Sequence, residues 1–153
     1  MISIPLILDE ELEQLKSDII LRHEQSGQVA SGKTKSEFEK RMPSDYNGQL
    51  LGAGYSGVLE RGRKPGGVPK DFIDILKRWA QAKGLSFKNE EQFNLWANAV
   101  KWKIIREGTK LYQSGQTQDI FTTPIEQFYQ RLSERITNYY EQEITNEIFI
   151  NKQ

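Results

Sequence analysis

Apolar positions along the chain follow two periods, and their alternation lays out a predicted order of elements. Leu12, Leu15 and Ile19 fall on one face at helical spacing behind Asp9, which predicts a first helix capped by Asp9 and ending near Ser26-Gly27. Glu10 and Glu11 occupy its first turn, where the helix dipole favours acids. From Ser31-Gly32 the pattern changes to period two, with Phe38 and Met42 separated by charged residues, so residues 35–42 read as a strand. Asn47-Gly48 is a hairpin signal, while Pro43 makes the turn longer or more irregular than two residues. A second strand is predicted from Leu50 to about Tyr55, weakened by Gly52, Gly54 and Gly57.

The second half of the chain is helical in pattern. Pro69 suits the first turn of a helix carrying Phe72, Ile73, Leu76 and Trp79, and Lys83-Gly84-Leu85 reads as its glycine C-cap with an apolar anchor. Asn89 and Gln92 form a capping box for a third helix. Phe93, Trp96, Ala97, Val100 and Ile104 share one of its faces, Leu95, Trp102 and Ile105 spread over others, and the helix stops at Gly108. After a turn-rich piece, Thr123, Pro124 and Glu126 start a last and longest helix whose stripe runs Ile125, Phe128, Tyr129, Leu132, Ile136, Tyr139 and Ile144. The predicted fold class is α+β: an N-terminal helix, a small antiparallel twisted sheet packed by two central helices, and a long C-terminal helix. Residues 1–110 are expected to form the α+β domain. Residues 111–153 are expected to be a linker and an amphipathic helix that packs on the domain or on a neighbour.

Composition sharpens this picture. The 153 residues suffice for one domain, yet hydrophobic content is only 37% and mean hydropathy is −0.66. Against that, three Trp, six Tyr and seven Phe are generous, which suits aromatics buried against neighbours. Twenty-one bases and twenty-one acids cancel, so no overall field draws the chain to nucleic acid or an anionic membrane. Locally the balance is uneven. Seven bases face two acids between Arg61 and Gly84, a net +5, whereas six acids outnumber three bases from Asp119 to Gln153, a net −3. Opposite patches attract copies of a chain head to tail. Cysteine is absent, which excludes disulfides and thiolate chemistry and suits a reducing compartment. The N-terminus has no basic region and meets Asp9-Glu10-Glu11 after eight residues, so neither a signal peptide nor a membrane span is predicted, and the chain is expected to be made and kept soluble inside a cell.

Motifs that carry chemistry are weak. His23 is the only histidine, lacks any metal-ligand spacing, and is expected at the surface. Residues 27–34, Gly-Gln-Val-Ala-Ser-Gly-Lys-Thr, match a phosphate-binding loop formally, but helix precedes them and strand follows, the reverse of the working context. Glu90 with Glu91, and Glu141 with Glu143, lack an apolar setting that would split their acidities. No catalytic, cofactor or metal site is predicted. The basic turn holding Arg61, Arg63 and Lys64 reads first as a subunit contact, with Glu60 pairing an Arg of an adjoining copy, and second as a phosphate-binding loop for nucleic acid.

Tyr55-Ser-Gly-Val-Leu-Glu-Arg-Gly-Arg-Lys-Pro-Gly-Gly-Val-Pro69, followed by Ile75 to Trp79, Lys83-Gly84, the third helix and Glu107-Gly108-Thr109, resembles a pattern in small neck and tail-completion (head–tail joining) proteins of tailed bacteriophages. Variants in phages of Bacteroidetes, including crAss-like phages, are most similar. In that family an N-terminal helix leads through a Ser/Thr-Gly segment, here residues 30–34, to a twisted sheet, and an aromatic-x-x-x-Leu-Glu-x-Gly element ends the second strand. The resemblance covers about residues 10–110, and the order of elements carries most of it. It implies a non-enzymatic virion subunit, made in the host bacterial cytoplasm, forming a ring between portal and tail. Identical subunits, a portal or connector and tail proteins are the implied partners, with DNA passing through the lumen. Cofactors and membranes have no part in that role. The loop at 61–64 is open to a subunit, a connector or that DNA. Tyr55, Glu60, Arg61, Arg63, Lys64, Trp102, Tyr139 and Tyr140 are the candidate contact residues.

Overall fold

The computed structural model describes residues 2–30 and 32–150, so Met1, Ser31 and the last three residues, Lys152 among them, lie outside the described residues. The chain is an α+β protein in which helix takes 64% of the residues and the only sheet among the described residues is a two-stranded antiparallel hairpin. The order is α1 (Ile4–Gln25), α2 (Lys33–Ser36), β1 (Glu39–Ser44), β2 (Asn47–Leu51), α3 (Ser56–Arg61), α4 (Phe72–Ala82), α5 (Glu90–Glu107), α6 (Lys110–Ser114) and α7 (Thr122–Ile150). No helix among the described residues is long and apolar enough to cross a membrane.

Helix α1 begins five residues before the expected Asp9 cap. Ser3 is the N-cap, its hydroxyl oxygen accepting the Leu6 N–H, and Pro5 sits in the first turn where its missing donor costs nothing. The extra turn brings Ile7 into the core, and a buried ladder then runs at four-residue steps through Ile7, Glu11, Leu15, Ile19 and His23. Two of its rungs, Glu11 and His23, are polar. His23, expected at the surface, is only 3% exposed, and its Nε2 has no partner among the described residues. Burial pushes its imidazole pKa down, against a smaller opposing pull from Glu24.

Helix α7 lies antiparallel along α1 and closes the core. Leu12, Leu15 and Ile19 pack with Phe38, Ile120 and Phe128, so the core spans both expected segments, 1–110 and 111–153. Glu11, 5% exposed, is held by two cations of α7: Arg131 Nε at 2.8 Å and Arg135 at 2.9 Å. Arg131 also reaches Asp18 at 3.3 Å, and Arg135 reaches Glu10 at 2.5 Å. Burial pushes the Glu11 carboxyl up, but hydrogen bonds and charge from Arg131 and Arg135 outweigh it and hold the group below its ordinary value.

The hairpin packs on α1, where packing by the two central helices was expected. Met42 and Leu50 face the core, and Lys40 reaches over to Asp9 at 2.8 Å and Glu13 at 3.3 Å. Its turn is Asp45-Tyr46, with Ser44 paired to Asn47, so Asn47-Gly48 opens β2 instead of making the turn. Gly48 lies against α1: a Cβ there would stand 2.2 Å from Leu12 Cδ1. The irregularity expected from Pro43 falls inside β1, between Arg41 and Ser44. Residues 33–36 are helical rather than extended, and β2 ends at Leu51. The stretch from Ser56 to Arg61 is helix because Leu59 and Glu60 both turn inward, which alternation in a strand forbids.

Helices α4 and α5 pack on each other, with Ala80 and Ala97 wholly buried and Leu76 and Phe93 buried along them. Phe87 stacks on Phe93 at 4.4 Å and meets Trp96 at 5.2 Å. The caps are as expected: Leu85 N–H bonds the Ala80 carbonyl past Gly84, and Asn89 Oδ1 accepts the Gln92 N–H. Trp79 is 44% exposed, because the buried line of α4 runs through Leu76 and Ala80.

Glu11→Gln is expected to lower stability by about 2 kcal/mol at neutral pH, since it removes a charged acceptor from two guanidiniums. In urea titrations the wild-type advantage is present above the unfolded glutamate value, about pH 4.3, and is lost as pH falls through the lower folded value. Equal stability of the two proteins at pH 7 would refute this. For His23 the depressed folded value means stability is complete above about pH 6.5 and declines as pH falls through the folded pKa. Melting curves of His23→Leu should lack that decline, and an unchanged acid slope would refute the assignment.

Candidate functional site

The expected contact residues fall into two regions. The first is the loop after α3. Gly62 and Gly108, the C-caps of α3 and α5, have φ/ψ of 74/177° and 77/−173°, a region open essentially to glycine alone. These two turns let the loop lie along the end of α5. Arg63 N–H bonds Thr109 Oγ1 and its carbonyl accepts the Thr109 N–H, both at 2.9 Å, while Gly66 N–H bonds the Ile105 carbonyl at 2.9 Å. A Cβ on Gly108 would stand 2.5 Å from the Arg63 oxygen.

The charged residues of this region divide sharply. The Arg63 side chain is structural: its guanidinium donates to the Gly67 carbonyl at 2.5 Å and lies 5.8 Å from the Phe72 ring centroid. Glu60 is 8% exposed and accepts the Thr122 hydroxyl at 2.5 Å, while its carbonyl accepts the Gln118 N–H. That corrects the expected pairing with a neighbour's arginine, for the carboxylate is turned inward and ties α3 to the start of α7. Arg61 and Lys64 are exposed and form no salt bridge among the described residues. Tyr55 is partly exposed, and its hydroxyl donates to Glu37 at 2.7 Å, linking α3 to the segment after α2. Burial and the Glu37 charge push its phenol pKa up.

Bonds to residues 105–109 set the loop beside the C-terminal end of α5, which carries Lys101, Lys103 and Arg106 and is followed by Lys110 of α6, with Glu107 the one acid between 101 and 110. Sequence reasoning missed this neighbourhood. Its signal is the run Lys101-Trp-Lys103 with Arg106, which follows the helix rather than a motif. Trp102, 58% exposed, stands on the outer face of α5 with Leu95, 66% exposed, one heptad away.

The second region is the distal half of α7. Tyr139 is half-buried and Tyr140 exposed, their rings in an edge contact at 5.5 Å. Glu141, Glu143 and Glu147 follow, with Ile144 and Ile148 at four-residue steps beyond Tyr140. Every residue from Glu141 to Ile150 is exposed.

The phosphate-loop match at 27–34 is not built for anions. Lys83 Nζ of α4 donates to the Gly27 and Val29 carbonyls at 3.0 and 2.8 Å, so this turn presents acceptors to a cation. Ser31 of that motif lies outside the described residues. An open groove lies between Phe38, Gly52 and Tyr55, shallow rather than enclosing. No family model matches the chain, and no curated protein or solved structure is significantly similar to it.

Gly108→Ala is expected to cost about 1–3 kcal/mol by forcing a side chain into this backbone region. Hydrogen exchange should show the Gly66 and Thr109 amides losing protection first; full protection of both would contradict the docking role of the turn.

Proposed function

We propose that the chain is a structural subunit that works by joining copies of itself, and that it serves in the head–tail neck or upper tail of a tailed phage, between portal or connector and tail. The observation that carries this reading is surface area. The folded chain keeps 10614 Å² of accessible surface, whereas a compact monomer of 17.7 kDa keeps about 7,950 Å². The difference, about 2,700 Å², exceeds the ~1,600 Å² that a ring subunit gives to two neighbours at ~800 Å² per side.

The character of that surface supports the same reading. Trp79, Leu95, Trp102, Tyr129, Tyr140 and Ile144 are all exposed, on helices whose other faces are already packed. Such residues are enriched in interface cores. The resemblance over residues 10–110 supplies the place in the virion, and the cations at 61–64 and 101–110 suit a partner or a lumen carrying negative charge. Arg61 and Lys64 form no salt bridge among the described residues, while Arg63 holds the shape of the loop.

Light scattering over a range of protein concentrations is expected to give a mass several times that of the 17.7 kDa chain, with rings of one copy number by negative-stain microscopy. A monomer at every concentration, with DNA affinity falling steeply in log salt, would replace this reading by nucleic-acid binding.

A further inference from the structure

We infer that the contact between copies is helix on helix and heterologous: the distal end of α7 of one chain lies on the outer face of α5 of the next. This rests on the assembly reading above and names the surfaces that would make it.

The first observation is where α7 loses its partner. Arg131 pairs with Glu11 and Asp18, and Arg135 with Glu10 and Glu11, so each step toward the C-terminus of α7 is a step toward the start of α1. Carrying that register forward sets Ile4, the first residue of α1, opposite roughly residue 141, and leaves the last nine residues of α7, about 13 Å, with no α1 beside them. All of them are exposed. A helix end of that length gains little from its own hydrogen bonds, and its Ile144 and Ile148 at 57% and 51% exposure form an apolar strip awaiting cover.

The second observation is charge. The strip is flanked by Glu141, Glu143 and Glu147, none of which forms a salt bridge among the described residues. Two copies of this end laid together would therefore set three acids against three. The outer face of α5 is the complement: Leu95 and Trp102 supply an apolar strip, Ala99 lies exposed between them, and Lys101, Lys103 and Arg106 are likewise without salt bridges among the described residues. Pairing α5 with a second α5 sets cations against cations. Opposite charge thus selects α7 on α5 and rejects both symmetric pairings. A contact between two different surfaces repeats from copy to copy, as closure into a ring requires.

The chain has no cysteine, so single replacements report contacts cleanly. Ile144→Cys and Trp102→Cys, each at an exposed position, are mixed and oxidised mildly. A disulfide-linked dimer is expected from the mixture and not from either variant alone. Cross-linking of Ile144→Cys with itself, or no cross-link in a mixture that light scattering shows to be assembled, would overturn the inference and leave the assembly reading standing. Separately, reversing Glu141, Glu143 and Glu147 to Lys, or Lys101, Lys103 and Arg106 to Glu, is expected to weaken assembly at least roughly tenfold, and mixing the two triple variants to restore it. Circular dichroism establishes that both remain folded. Undiminished assembly of either triple variant also overturns the inference, and a wild-type chain that never assembles overturns it together with the assembly reading.

Discussion

The rest of the molecule hangs on one buried carboxylate. Glu11 sits on the inward ladder of α1, where an unpaired charge is costly, and two guanidiniums from α7 offset that cost across 120 and 124 residues of sequence. Pinning α7 along α1 covers Leu15 and Ile19 with Phe128 and brings Ile120 into the same core. The hairpin rides on another side of α1, and α3 is tied through Glu60 to the residue that opens α7. Both ends of the chain therefore share one core, and the elements between them are arranged around that pair.

Local chemistry made much of this legible. The Gly84 C-cap, the Asn89 cap and the stop at Gly108 follow from residues within one turn of the boundary they mark, whereas the long last helix starts at Thr122, ahead of the expected Thr123 cap, with Asp119 accepting the Thr123 N–H. What stayed hidden depends on distant partners. Glu11 and His23 look solvated in sequence because the arginines and the packing that bury them come from elsewhere. The hairpin turns at Asp45-Tyr46, and Gly48 instead lies in β2 close against Leu12 of α1, a contact that the hairpin sequence alone does not reveal. The second strand was expected to run on to about Tyr55 and no helix was expected at 56–61, where Leu59 and Glu60 point the same way.

The candidate surface was legible only in part. Arg61, Lys64, Trp102 and Tyr140 were singled out and are exposed; Arg63 and Glu60 were singled out and serve the fold instead. Charge and glycine content do not separate those two roles, since a loop that must hold one shape draws on the same residues as a loop that must bind. The opposition of an acidic helix end and a basic helix face gives the two regions a common logic, because each presents apolar side chains that nothing among the described residues covers.

The turn before α7 also has a geometric consequence. Asp119, the only described non-glycine residue with positive φ, at 42°, accepts the Thr123 N–H at 2.9 Å and the Thr123 hydroxyl at 2.7 Å while Arg22 of α1 grips the same carboxylate at 2.6 Å. With Glu11 as a second fixed point farther along, α7 can neither slide nor spin on α1. Its tip lies about 43 Å from the start of the helix at Thr122, and a slip of one residue at the Asp119 anchor would turn the tip by about 100°. Asp119 is in this sense an aiming device: a single carboxylate at one end of a long lever decides the compass bearing of the side chains at the other.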